Sequence, residues 1–158
     1  MVLVYVNSAN GLSKAAFETV TYGKKLSDQV LVITNGTASS DTLATLGEFG
    51  ASKVIVDRSV DGEDAQQLTR LISAVVQNIG AKTVIFSHDL IGKAVAPRLS
   101  VRLQAVLIAG AISIPDTDGA VKVNVFSGKA IGNVKVSSAI KIISLLPNSI
   151  QPEKTGAN

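Results

Sequence analysis

Apolar and polar positions alternate along this chain between two rhythms. Short β-branched runs are separated by longer stretches in which apolar residues recur every three or four positions. Val2 to Val6 predicts a first strand, followed by the polar turn Asn7 to Gly11 and a helix over 13–26 with Ala16, Phe17 and Val20 on one side. Gln29 to Thr34 predicts the second strand, closed by Asn35-Gly36. A helix over 40–49 follows, with Asp41 near its start and Gly50 at its end, and then a third strand over 53–56. The clearest helical period is Leu68, Leu71, Ile72, Val75, Val76 and Ile79, one stripe facing a sheet and stopped by Gly80. Thr83 to Phe86 is nearly all apolar, as a strand buried on both faces should be. A helix over 90–103 and a short fifth strand over 105–107 complete this part.

Strand–helix alternation of this kind predicts an α/β fold, a doubly wound parallel sheet with helices on both faces. Beyond Leu107 the rhythm changes. Segments 109–114, 121–126, 133–136 and 140–144 read as strands with no helix between them. Asp116-Thr117-Asp118-Gly119 and the region Gly128 to Gly132 read as hairpin connections. An antiparallel C-terminal extension to the parallel core is therefore expected. One domain over 1–150 accounts for the patterned chain. Residues 151–158 are polar, with Pro152 and Gly156, and read as a linker or disordered tail.

Composition narrows the function classes. Of 158 residues, 46% are hydrophobic and 17% charged, which argues for a packed core. The net charge of +3 is spread from Lys14 to Lys154 without a basic run, and aromatics are only 4%, so nucleic-acid binding is not expected. There is no cysteine, which removes disulfides, thiolate nucleophiles and zinc- or iron-thiolate sites, and His88 is the single histidine. Met1 leads into Val2 to Val6 with no basic segment before it, unlike a secretory signal. No apolar run reaches the roughly 18 residues that would span a bilayer. A cytoplasmic protein without a membrane partner is the expectation.

Candidate chemistry is sparse. The turn after the first strand carries Gly11 alone, where a dinucleotide-binding turn uses three glycines. Gly92-Lys93 has Ser87 where a phosphate loop has glycine, and Ala94 where it has Ser or Thr; Gly128-Lys129-Ala130 fails in the same way. A mononucleotide held by strand ends alone stays open. Ser87-His88-Asp89 holds the letters of a nucleophilic triad, but consecutive side chains diverge, and Ser and Asp at a strand-to-helix junction read as caps. Asp116 and Asp118 read as turn residues. Arg98 and Arg102, one helical turn apart, read either as a solvated face or as guanidinium forks meeting carboxylates of another domain or subunit, with Lys129 serving the same end.

The order of several short motifs resembles the N-terminal domain of the electron transfer flavoprotein alpha subunit. They are the opening strand Val2 to Asn7, Gly92-Lys93, Pro97-Arg98-Leu99 and Val101-Arg102-Leu103. Phe126-Ser127-Gly128-Lys129-Ala130 follows with Val134-Lys135, and then Ile140-Lys141-Ile142-Ile143 and Pro147-Asn148-Ser149-Ile150. Ile150 stands where the family closes on Phe, and Ser87-His88 replaces small residues common before the Gly-Lys turn.

The resemblance implies a three-layer α/β/α fold like that of adenine nucleotide alpha hydrolases. It implies an electron carrier component, not an enzyme, with no catalytic, metal or cofactor-binding residue in this segment. FAD is expected in the complete assembly, held mainly by the flavin domain of alpha, which these residues do not include; this chain alone is expected to bind none. The implied partners are the beta subunit, that flavin domain and, through the complex, acyl-CoA or other dehydrogenases, with self-association when the domain is isolated. Lys93, Arg98, Arg102 and Lys129 are the candidate docking surface. The competing readings are a stand-alone nucleotide-binding module of the universal-stress type and a small hydrolase using Ser87 or His88.

Overall fold

The computed structural model describes residues 1–156. Its sheet has eight strands in the order β3-β2-β1-β4-β8-β5-β6-β7. These are β1 (Val2–Asn7), β2 (Val30–Asn35), β3 (Lys53–Asp57), β4 (Thr83–Ser87), β5 (Val106–Ala111), β6 (Val121–Val125), β7 (Ala130–Val134) and β8 (Lys141–Leu145). Every pairing from β3 to β5 is parallel, and β6 and β7 extend the sheet antiparallel. The helices are α1 (Lys14–Leu26), α2 (Ser40–Ala44), α3 (Ala65–Ile79) and α4 (Leu90–Leu103).

Period-two alternation sorts the strands' side chains onto two faces. Val2, Val4 and Val6 of β1 pack with Ala16 and Val20 of α1, while Leu3 and Tyr5 pack on the opposite face with Leu68, Ile72 and Val76 of α3 and Val95 and Leu99 of α4. The result is a three-layer α/β/α arrangement. Each fully buried Val, Leu or Ile contributes about 1.5–3 kcal/mol, so the two clusters supply the main folding drive. Gly23 lets α1 lie close on the sheet: a Cβ there would stand 3.0 Å from Val4 Cγ2.

Four expectations need correction. The strand expected over 140–144 is not part of the antiparallel extension. It is β8, parallel to both neighbours and inserted between β4 and β5. Ile142, Ile143, Ser144 and Leu145 are all buried, which suits a central strand covered on both faces. The segments 105–107 and 109–114 are one strand, β5, with a register shift between Ala109 and Ala111. Gly110, at φ +72°, forms that bulge and brings Ala111 onto the same face as Ile108, three positions before it. The strand expected at 133–136 runs over Ala130–Val134, because the chain already turns at Phe126, Ser127 and Gly128, all left-handed. The helix expected over 40–49 is α-helical only to Ala44 and tightens to a 3-10 turn over Thr45–Phe49, closed by Gly50 in the left-handed conformation.

Residues 151–156 form neither helix nor strand, yet they lie along α1 and the 3-10 turn. Thr21 Oγ1 accepts the Glu153 N–H at 3.1 Å, Lys25 pairs with the Glu153 carboxylate at 2.7 Å, and the Glu48 carbonyl accepts the Thr155 N–H at 2.8 Å. Ala157 and Asn158, the end of the expected linker, lie outside the described residues.

Candidate functional site

In an open α/β sheet, ligands gather outside the carboxyl ends of the strands where the order reverses, which here is the boundary between β1 and β4. The starts of α1 and α4 meet there. Ser13 caps α1 by accepting from the Ala16 N–H at 3.3 Å, and Asp89 caps α4 by accepting from the Gly92 N–H at 2.9 Å. Gly92 sits so close to the end of β4 that any Cβ would overlap the Ser87 carbonyl oxygen. The cleft left between these elements, lined by Tyr5, Asn7, Ser13, Ser87, Asp89 and Gly92 among others, is about 30 Å³. That is space for about one water, against about 300–1,000 Å³ for a typical small-molecule site. The crevice beside it, about 250 Å³, is again lined by Asp89, a carboxylate where a phosphate would have to lie. An FAD does not fit this cleft.

Ser87, His88 and Asp89 do not form a relay. Ser87 Oγ is buried without a hydrogen-bond partner, and the Asp89 carboxylate is engaged with the helix start. His88 Nδ1 lies 2.9 Å from Ser144 Oγ, and Ser144 Oγ also accepts the Gly110 N–H at 3.2 Å. A hydroxyl oxygen carries two lone pairs, so accepting from Gly110 leaves Ser144 able to donate to Nδ1 or to accept from it. The direction of that bond follows the tautomer of His88, and both neutral tautomers satisfy the contact. Burial, and then the nearby Lys93 ammonium, hold the His88 pKa below its ordinary value, with Asp89 opposing them. This chain of contacts crosses β4, β8 and β5, and a search for short motifs has no means of finding it. The one available signal was Ser144, a hydroxyl inside an otherwise apolar run.

The expected docking residues separate into three places. Arg98 and Arg102 line a groove of about 400 Å³ between α3 and α4, together with Gln66, Thr69, Arg70 and Val101. Lys93 is exposed in the first turn of α4, nearer His88, and Lys129 is exposed in the β6–β7 turn; neither lines this groove. Arg70 was not expected, because it lies on another helix just off the apolar stripe of α3. Among the described residues, no group of three or more His, Cys, Asp or Glu residues could hold a metal ion, and no helix is long and apolar enough to cross a membrane.

A family model described as "Electron transfer flavoprotein domain" matches residues 2–158. The chain belongs to the electron transfer flavoprotein domain family. It is similar to the electron transfer flavoprotein subunit alpha of Bacillus subtilis, with 29% identity over 146 residues, 89% of this chain and 45% of that protein. The subunit alpha of Syntrophomonas wolfei is 25% identical over 140 residues, 85% of this chain and 44% of that protein. The probable mitochondrial electron transfer flavoprotein subunit alpha of Caenorhabditis elegans is 20% identical over 150 residues, 93% of this chain and 45% of that protein. This electron transfer flavoprotein domain thus spans rather less than half the length of the curated relatives it matches. Its doubly wound sheet and three layers agree with the fold that the resemblance implied.

Proposed function

We propose that this chain is the N-terminal scaffold and heterodimerisation domain of an electron transfer flavoprotein alpha subunit, acting in the cytoplasm. The observation that carries the reading is the family match over 2–158 together with alpha-subunit relatives covered to about 45% of their length. In this role the domain packs against a beta subunit and against the flavin domain of alpha. When bound there, FAD supplies the electron chemistry, taking electrons from acyl-CoA or other dehydrogenases. This chain's own part is to hold those domains in place, as an electron carrier component rather than an enzyme. The narrow cleft between β1 and β4, with Asp89 on its wall, supports a structural role for that end of the sheet over a nucleotide-binding one.

Co-expression of this chain with a beta subunit and the flavin-holding half of alpha tests the reading. The expected result is a yellow complex containing all three parts, which is reduced by an acyl-CoA dehydrogenase and its substrate. A colourless, solitary chain that shows a thermal shift with AMP or ATP would overturn it in favour of a stand-alone nucleotide-binding module.

A further inference from the structure

The groove between α3 and α4 concentrates positive charge that the protein itself leaves unanswered. Arg70, Arg98 and Arg102 line it with no carboxylate among the lining residues. The ion pairs among the described residues are Lys14–Glu18, Lys24–Asp28, Lys25–Glu153 and Lys154–Glu48, and none involves an arginine. Arg58 is satisfied internally, by the carbonyls of Gly36 and Ala38. Arg98 donates to the Ala94 carbonyl of its own helix, while Arg70 and Arg102 have no side-chain hydrogen bond among the described residues. Asp64, the N-cap of α3, is the nearby acid that feels Arg70. Its carboxylate is already taken by the Gln67 N–H at 3.0 Å, the Gln67 side chain at 2.9 Å and the Gln66 N–H at 2.8 Å.

Val101 lies on the groove wall beside these guanidinium groups and is 80% exposed. An exposed branched apolar side chain flanked by unpaired arginines has the composition of a protein-binding patch, in which arginine is enriched and carries much of the affinity. The groove runs between the first turns of α3, where Gln66 lies, and the C-terminal half of α4. The Gln66 and Gln67 N–H groups are already taken by the Asp64 carboxylate, so no row of free backbone N–H groups converges on it as small phosphate ligands require. Arg98 and Arg102 are four positions apart, which places their anchor points roughly 6 Å apart along the helix axis.

We propose that the α3–α4 groove docks an acidic surface of a protein partner, presenting carboxylates to Arg70, Arg98 and Arg102 around an apolar side chain that packs on Val101. Planar guanidinium forks pair bidentately with carboxylates and desolvate more readily than ammonium groups, so lysines in these positions would not be equivalent. The inference uses no flavin and stands apart from the electron-transfer reading, so either can fail alone.

The test uses the full chain and two labelled helical peptides. One carries Glu at positions i and i+4 with Leu between them; the other carries Gln in place of each Glu. Fluorescence anisotropy should show the Glu peptide binding about tenfold more tightly than the Gln peptide, with the difference shrinking as salt is raised. Arg102→Glu and Arg70→Glu should each weaken the Glu peptide by about tenfold, and Val101→Ser should weaken both peptides severalfold. Lys82→Glu and Lys53→Glu, which change net charge equally but lie outside the groove, should leave binding unchanged. All five positions are exposed, and circular dichroism of each variant checks the fold; Arg102→Gln supplies a milder variant with the same expected direction. Equal affinity for the two peptides, or equal losses from Lys82→Glu and Arg102→Glu, would overturn the proposal. Tight binding of inorganic pyrophosphate without measurable peptide binding would also overturn it, and make the groove a small-anion site.

Discussion

The buried carboxylate of Glu18 in α1 accepts the backbone N–H of Asn148 at 3.0 Å, joining residues 130 positions apart. Lys14 reinforces the contact, lying 3.4 Å from the other carboxylate oxygen and donating to Asn148 Oδ1 at 3.0 Å. The turn after β8 is thereby fixed to α1, with Asn148 itself at φ +64°. Residues 151–156 continue from this turn along the same helix, so Glu18 sets the direction in which the chain leaves the sheet.

Glu18→Ala should therefore be destabilising. The carboxylate is only 1% exposed, and its removal leaves the Asn148 N–H without an acceptor. The expected loss is about 1–3 kcal/mol, measured by urea denaturation. Glu18→Gln keeps an acceptor for Asn148 and should lose less. Equal effects of the two variants would mean that the hydrogen bond to Asn148 is not what holds the turn.

His88 should make stability depend on pH in one direction. Its folded pKa is lowered from 6.5 by burial and Lys93, so the unfolded chain takes up a proton first as pH falls. Stability from this group is complete above the ordinary value and declines as pH drops below it toward the folded pKa. In the imidazolium both ring nitrogens are donors, so a protonated His88 donates from Nδ1 to Ser144 Oγ. Melting temperatures between about pH 5 and pH 8 should fall on the acid side in the parent protein, and less steeply in His88→Gln. Identical slopes in the two proteins would remove His88 as the cause.

Two glycines predict opposite outcomes for the same substitution. Gly92→Ala forces a Cβ onto the Ser87 carbonyl, where only a shift of α4 or of the end of β4 makes room. The expected cost is about 3 kcal/mol or more, with a visible drop in the thermal midpoint. Gly47 lies in the 3-10 turn with nothing within 4 Å of its Cβ position, and Gly47→Ala should be neutral or stabilise by up to about 1 kcal/mol. A tolerated Gly92→Ala would show that the start of α4 is not seated on β4 as described.

Much of the fold was legible because it is local. The unbroken apolar run of β1, the stripe from Leu68 to Ile79 and the alternation of strand and helix each follow from side-chain period, and each matches an observed element. Asp89, Ser13 and Gly80 act as caps at helix ends, where their chemistry is decided within a few residues. The arginines that line the α3–α4 groove were only half legible. The i, i+4 spacing of Arg98 and Arg102 places them on one face, but nothing near them in the sequence points to Arg70.

By itself, the sequence determined the parallel α/β core, the positions of the helices and the family to which the chain belongs, since periodicity and short motifs are properties of neighbouring residues. Tertiary structure alone decided where β8 inserts. An apolar strand satisfies its backbone equally well at an edge or in the centre until the strands beside it are known. Tertiary structure also decided that Gly110 bulges, that Ser144 meets His88, and that α3 brings Arg70 beside Arg98 and Arg102. These contacts join segments far apart in the chain, and their partners are chosen by the packing of the whole sheet rather than by any local preference.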